Sequence, residues 1–155
     1  MNEWQMPLKF IQRFDLDLIL LAGRYTLLDH SGLAEFLPAC VERDVKITVG
    51  GPYNSGILAR DLSKPVTFNY EKASEDLVST AKKLTEICVA HGVDLKAAAL
   101  QFVLAHPAVA TAVPGAQSIS ELEQNIAMVQ QEIPAAVWSD MRSAGLIPDN
   151  APTPE

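Results

Sequence analysis

The sequence has few cysteines and no pattern of metal ligands. Of 155 residues only Cys40 and Cys88 are cysteine, and both lie among apolar neighbours in predicted helices. Thiols in such surroundings are typical of small buried side chains in a reducing compartment. Neither the cysteines nor the three scattered histidines have the spacing of zinc ligands, so no metal site is predicted.

Positive charge and long apolar runs are also scarce. Lys and Arg number 12 against 19 Asp and Glu, which gives a net charge of −7, and Lys82 and Lys83 form the only adjacent cationic pair. Nucleic acid is therefore not an expected partner, because phosphate binding draws on clustered Lys and Arg. No apolar run approaches the roughly 20 residues that span a bilayer, and the segment after Met1 does not resemble a signal peptide. We expect a cytoplasmic protein with no membrane partner.

Short apolar segments alternate with amphipathic ones along the chain. Buried strands are predicted at 17–22, 45–49 and 109–113, each followed by Gly or Pro-Gly. The predicted helices follow Ser, Asp or Pro at 31–43, 74–91, 94–105, 118–131 and 134–144. This alternation predicts a parallel sheet with helices packed outside it.

Two architectures fit that alternation. A doubly wound sheet usually carries G-x-G-x-x-G after its first strand, and the run GGPYNSG at 50–56 does not have this spacing. The alternative is part of a (β/α)8 barrel, in which the ligand loops lie at the carboxyl ends of the strands. The pattern alone leaves both possibilities open.

The most informative segment follows the third predicted strand. Pro114 and Gly115 end the strand, Ser118 opens a helix, and Glu121 lies three residues further on, as in a capping box. A strand, a tight turn and a capped helix start direct backbone N–H groups toward an anion. Taken locally, the same residues are more typical of an ordinary helix start that binds nothing.

Several segments, in one order along the chain, resemble the aldo-keto reductases. They are RYTLL at 24–28, GGPYNSGIL at 50–58, the segment 91–107 that leads into the third strand, and VPGA at 113–116 with Asn125. The resemblance implies an α/β fold that forms the carboxyl-terminal half of a (β/α)8 barrel, roughly strands six to eight. This half would occupy residues 1–146, with a flexible tail at 147–155. Within the family, the chain is most similar to dehydrogenases that oxidise L-fucose, D-arabinose or L-galactose at C1.

The resemblance also implies a nicotinamide dinucleotide site. Asn2 would bind the nicotinamide carboxamide, and the corner after strand eight would hold the adenosine end. The implied cofactor residues are Asn2, Pro52, Tyr53, Asn54, Ser55, Gly56, Gly115, Ala116, Ser118, Glu121 and Asn125. Two positions depart from the family pattern, since Gly50 stands where an aromatic ring usually stacks on nicotinamide and Ala22 stands where Gln is usual.

Glu121 bears on the choice between NAD and NADP. Members that prefer NADP have an Arg at this position, where it binds the 2′-phosphate. Here the side chain is anionic, and neither Lys nor Arg occurs from Ala97 to Met141. A 2′-phosphate would therefore meet like charge with no local counter-ion. The resemblance thus implies NAD in preference to NADP, unless a cation reaches the site from elsewhere.

No catalytic residue can be assigned. The family's Asp, Tyr, Lys and His tetrad lies on strands one to four, which would precede Asn2, and Tyr25, Tyr53 and Tyr70 correspond to other positions or to loops. A complete barrel needs roughly 250 residues. We therefore expect a piece of a longer protein or a truncated reading frame, inactive alone.

Two further expectations concern substrate and assembly. Arg24, Tyr25 and His30 follow strand six on the ligand side and are candidates to contact sugar hydroxyls. Half a barrel exposes unpaired strand edges, which proteins normally avoid. The alternative to an enzyme piece is therefore an assembly module that pairs with a second copy or with a separate amino-terminal half.

Overall fold

The computed structural model describes residues 1–69 and 71–154, so Tyr70 and Glu155 lie outside the described residues. The strands are β1 (Leu18–Ala22), β2 (Lys46–Gly50), β3 (Thr67–Phe68), β4 (Glu71–Lys72) and β5 (Val109–Val113). The helices are α1 (Gln5–Ile11), α2 (Phe36–Glu42), α3 (Glu75–Ala90), α4 (Leu95–Leu104), α5 (Ile119–Gln130) and α6 (Ala135–Ser143). The three predicted strands and the order of helices around them are thus present.

The main sheet is parallel, with its strands in the order β1, β2, β5. Its two faces differ sharply in exposure. Leu21, Ile47 and Val49 are fully buried against the helices, whereas Leu20 and Val113 on the opposite face are 51% and 52% exposed. A doubly wound sheet has helices on both faces, so this one-sided sheet is part of a barrel wall.

Three of the predicted helix starts are capped by the predicted side chains. The Ser74 hydroxyl accepts a hydrogen bond from the Leu77 N–H at 3.3 Å, and the Asp94 carboxylate accepts one from the Lys96 N–H at 2.8 Å. At the start of α5, the Ser118 hydroxyl accepts from the Glu121 N–H at 3.2 Å. These bonds satisfy N–H groups that have no partner within the helix.

The expected helix start at Ser31 is wrong, because α2 begins at Phe36. The Asp29 carboxylate accepts hydrogen bonds from both the N–H and the hydroxyl of Ser31. The local side-chain bond therefore competes successfully with a helix cap, and residues 31–35 form turns instead.

The core lies between the sheet and the helices, and α2, α3, α4 and α6 all contribute buried side chains to it. Phe102 is fully buried, with its ring centroid 5.2 Å from that of Tyr25 and 6.4 Å from that of Trp138. Cys40 and Cys88 are buried and unpaired, as expected, and burial raises the pKa of their thiols to about 11 and about 12.

The described part of the segment expected to be a loose tail packs against this core. Ile147 and Ala151 are buried, and the Arg142 guanidinium donates to the Ala151 carbonyl and to the Thr153 hydroxyl. An apolar contact and a charged donor thus hold residues 147–154, which composition alone does not reveal.

Within residues 1–69 and 71–154, no single helix is long and apolar enough to cross a membrane. Taken together, α3 and α4 have the length and apolar composition of a membrane span, but the chain bends by 101° between them.

Candidate functional site

A cleft of about 530 Å³ lies beside the carboxyl ends of β2 and β5. This volume falls within the range of roughly 300–1,000 Å³ that is usual for small-molecule sites. One wall is the loop after β2 and the other is the beginning of α5. The cleft brings together these predicted cofactor residues: Pro52, Tyr53, Ser55, Gly56, Gly115, Ala116, Glu121 and Asn125.

The loop after β2 turns sharply through consecutive left-handed residues. Asn54, Ser55 and Gly56 have φ values of 46°, 57° and 94° and form a short 3-10 turn. The Asn54 side chain is buried and its amide nitrogen lies 3.5 Å from the Gly23 carbonyl oxygen. Asn54 therefore faces the end of β1 and supports the loop, rather than lining the cleft as its neighbours do.

The other wall begins with a variant of the predicted capping box. One carboxylate oxygen of Glu121 accepts a hydrogen bond from the Gln117 N–H at 2.7 Å, while the Ser118 hydroxyl accepts from the Glu121 N–H. These two bonds fix the turn from Gly115 into α5. Ser118 thus stabilises the helix start, whereas the Glu121 side chain also lines the cleft.

A hydrogen bond joins the two walls across 72 residues of sequence. The Tyr53 hydroxyl donates to the Asn125 amide oxygen at 2.8 Å, and both side chains are buried. Burial and the nearby Asp94 charge raise the pKa of Tyr53 well above its usual value, so the hydroxyl stays protonated and can donate. The Tyr53 side chain is therefore directed toward α5.

Two cations line the cleft that sequence reasoning did not place there, Arg60 and Lys96. The Lys96 ammonium donates to the Gln124 amide oxygen at 3.2 Å and lies 4.0 Å from an Asp94 carboxylate oxygen. The premise that this site has no local counter-ion is thus wrong. Lys96 comes directly before the stretch 97–141 that lacks Lys and Arg. The packing of α4 on α5 brings its ammonium to α5, the helix that carries Glu121.

Asn2 lies outside the cleft, close to the carboxyl end of β1. The Ala22 N–H donates to the Met1 carbonyl at 2.8 Å, so the first residue runs alongside β1. The Asn2 carbonyl accepts from the Arg24 Nε at 2.7 Å. Since Ala22 pairs with Gly50, Asn2 and the cleft-forming loop share one end of the sheet.

The three candidate substrate residues lie in different surroundings. The Arg24 guanidinium bonds to the Asp29 carboxylate at 3.2 Å and to the Asn69 amide oxygen at 3.3 Å, so it ties three segments together. His30 packs its ring 5.7 Å from Phe102 and borders a separate cavity beside the end of α6. Burial lowers the pKa of His30, against an opposing effect of the Asp29 charge.

The placement expected for Tyr25, a loop residue open to ligand, needs correction. Its side chain is fully buried, with the ring centroid 5.2 Å from those of Phe102 and His106, and burial raises its pKa far above the usual value. The chain turns inward at this point, because the ring completes the aromatic core beneath the sheet.

Comparison with known proteins agrees with this geometry. Residues 8–145 match the model of the Aldo/keto reductase family. The chain belongs to that family. It is 40% identical over 146 residues to pyridoxal 4-dehydrogenase of Microbacterium luteolum, covering 94% of this chain and 43% of the relative. It is 38% identical over 139 residues to D-threo-aldose 1-dehydrogenase of a Pseudomonas species, covering 89% of this chain and 42% of the relative.

Solved structures of aldo-keto reductases also match the chain over most of its length. A holo-form aldo-keto reductase of Bacillus halodurans superposes with a TM-score of 0.72 at 25% identity, covering 92% of this chain and 47% of that one. The chain therefore spans less than half the length of the aldo-keto reductases it matches. The partial barrel predicted from sequence is confirmed, and membership in an oxidoreductase family implies a nicotinamide cofactor for the family.

Proposed function

We propose that this chain forms the adenosine-side wall of a nicotinamide dinucleotide site in an aldose 1-dehydrogenase that works in the cytoplasm. The observation that carries the proposal is the Tyr53–Asn125 hydrogen bond, which holds the loop after β2 against α5 and so forms the cleft. A Cβ placed on Gly51 or Gly115 meets no atom within 4 Å, so both backbones are open to a ligand. The named relative that oxidises D-threo-aldose supports the substrate class.

The proposed site gives individual residues separate roles in binding the dinucleotide. Backbone groups of Ser55, Gly56 and Gly115 contact the pyrophosphate, Asn125 and Glu121 hold the adenosine, and Asn2 at the sheet edge binds the carboxamide. When bound, the dinucleotide supplies the hydride acceptor for oxidation at the sugar's C1. Arg24 and His30 remain the predicted substrate residues, whereas Tyr25 is not among them, because its side chain is fully buried against Phe102 and His106.

The proposal includes a preference for NAD. Glu121 is fixed by the Gln117 N–H and presents its carboxylate to the cleft, where it can accept hydrogen bonds from ribose hydroxyls. A 2′-phosphate beside this carboxylate is repelled. Lys96 reduces that repulsion, but its ammonium already has Gln124 and Asp94 as partners. We therefore expect discrimination of severalfold rather than complete exclusion.

Nucleotide binding by the chain tests the proposal directly. We expect ADP to shift the amide resonances of Gly56, Gly115 and Glu121 in an NMR titration. Adenosine 2′,5′-bisphosphate should bind severalfold more weakly than AMP, from which it differs only by the 2′-phosphate. Glu121→Gln should reduce this discrimination, whereas Glu123→Gln, a matched loss of charge on the same exposed helix, should not. Absence of saturable ADP binding would reject the proposed cleft, and tighter binding of adenosine 2′,5′-bisphosphate than of AMP would reject the NAD preference.

The chain alone should not oxidise sugar, because the proton-transfer tetrad that the family resemblance places before Asn2 is not assigned to any residue here. Purified chain with L-fucose or pyridoxal and NAD should give no reduced nicotinamide above the blank. Turnover would show that an acid–base group lies within these residues and would overturn this part of the proposal.

A second candidate function is assembly, and the exposed face of the sheet favours it. Leu18, Leu20 and Val113 lie on that face and are each about half exposed. We propose that a complementary barrel half, either a second copy of this chain or a separate amino-terminal half, covers this face and extends β1 and β5. A decayed reading frame with no function is the remaining alternative, which nucleotide binding in the cleft would oppose.

A further inference from the structure

Arg60 has an unusual position over the loop that forms one wall of the cleft. An added Cβ on Gly56 would lie 2.8 Å from the Arg60 Nε and 3.3 Å from its Cζ. Gly56 also has a φ of +94°, which disfavours other residues. The glycine therefore serves both the turn and the close approach of the guanidinium, which lies against the loop at the edge of the cleft.

Among the residues that the structure describes, the Arg60 guanidinium forms no ion pair with a carboxylate, whereas Arg24, Lys46 and Lys96 each do. Arg24 pairs with Asp29 at 3.2 Å and Lys46 pairs with Asp44 at 3.0 Å. Lys96, the other cation of the cleft, is engaged by Gln124 and Asp94. In a chain with a net charge of −7, a cleft cation without such a carboxylate is available to an anionic ligand.

We infer that Arg60 binds the pyrophosphate of the dinucleotide, a role that rests on the proposed function of the cleft. A guanidinium offers a planar pair of donors that matches two phosphate oxygens, and such charge-assisted bonds are stronger than neutral ones. Arg60 lies on the wall formed by the loop after β2, opposite to Glu121 on α5. This separation leaves Arg60 to contact the phosphates and Glu121 to contact the ribose hydroxyls.

The inference is tested with two probes that differ only in phosphate, ADP and adenosine, titrated into the chain by calorimetry or NMR. Arg60→Gln should weaken ADP binding about tenfold and leave adenosine binding unchanged, because only the phosphate contacts are lost. Arg60→Lys should keep part of the affinity, since charge remains without the paired donors. Lys64→Gln removes an equal charge from the same loop outside the cleft and should have little effect.

The outcomes separate this inference from the proposed function. If the unaltered chain binds ADP and Arg60→Gln binds it equally well, the role of Arg60 is wrong and the cleft stands. A loss of ADP affinity in Lys96→Gln but not in Arg60→Gln would assign the phosphates to Lys96 instead. If the unaltered chain binds neither ADP nor adenosine, the cleft itself is not a nucleotide site and both proposals fail.

Discussion

The bond between Tyr53 and Asn125 gives a sharp prediction at the scale of single residues. Tyr53→Phe leaves the Asn125 amide oxygen buried without its donor, so we expect the free energy of unfolding to fall by about 1–2 kcal/mol. Urea denaturation of the chain measures this change. Because replacing both partners by apolar groups removes the stranded acceptor, Tyr53→Phe combined with Asn125→Leu should recover part of the loss. Equal stability of the single variant and the unaltered chain would contradict the structural role of this bond.

At this scale the sequence pointed to Tyr53 and Asn125 through the family resemblance, but it could not show that they bond to each other. Arg60 and Lys96 were missed for a related reason. Each is a surface cation with nothing unusual in its local sequence, and only the packing of α4 on α5 and the turn at Gly56 bring the two to one cleft. Contacts between distant segments are set by packing geometry, which residue spacing does not encode.

At the scale of elements, the start of α5 depends strongly on its cap. Within α5 only Asn125 is buried and Met128 is partly buried against the core, so few apolar contacts hold this helix in the described structure. Ser118→Ala should therefore lower stability by about 1 kcal/mol and reduce hydrogen-exchange protection at Glu121, whose N–H bonds to the Ser118 hydroxyl. Ser118→Asp should retain most of the protection, because aspartate is an equally good cap.

Ser120→Ala is the matched control for this prediction. It removes a hydroxyl from the same first turn, but one that only accepts a 3.4 Å bond from the Gln124 side chain. Unchanged protection of Glu121 in Ser118→Ala would mean that the cap does not determine the start of α5.

The helix starts also show how far local sequence determines elements. Ser74, Asp94 and Ser118 cap as predicted, because each side chain accepts a bond from an N–H two or three residues further on. Ser31 does not, because Asp29 two residues earlier binds both of its donors. A cap prediction therefore requires inspection of the acceptors just before the candidate residue as well as the residues after it.

At the scale of the whole molecule, the alternation of strands and helices was enough to predict a parallel sheet but not to choose its architecture. The choice rests on which face of the strands is covered. Sequence letters do not reveal this, since both Leu20 and Leu21 are apolar, yet the first is half exposed and the second is buried. Family resemblance resolved the ambiguity because it compares the whole order of segments.

The uncovered surface is larger than the sheet face alone. On α5, apolar side chains recur at Ile119, Leu122, Ile126 and Val129, and each is between 45% and 77% exposed. A stripe at this spacing lies on one side of a helix. This stripe and the sheet face at Leu18, Leu20 and Val113 are two exposed apolar surfaces of the kind that marks an interaction site.

We expect the exposed sheet face to drive association of the isolated chain. Light scattering after size-exclusion chromatography should show a concentration-dependent mass above 16.8 kDa, and Leu20→Lys with Val113→Lys should shift the population toward the monomer, because buried lysines without partners disfavour the interface. Val89→Lys is the control, since Val89 is 69% exposed on α3 but belongs to neither the sheet face nor the α5 stripe.

A chain that remains monomeric at high concentration and melts cooperatively would show that these faces tolerate water. Association in which Val89→Lys has the same effect as the sheet variants would show that the contact forms elsewhere, and the barrel-half interface would then be wrong.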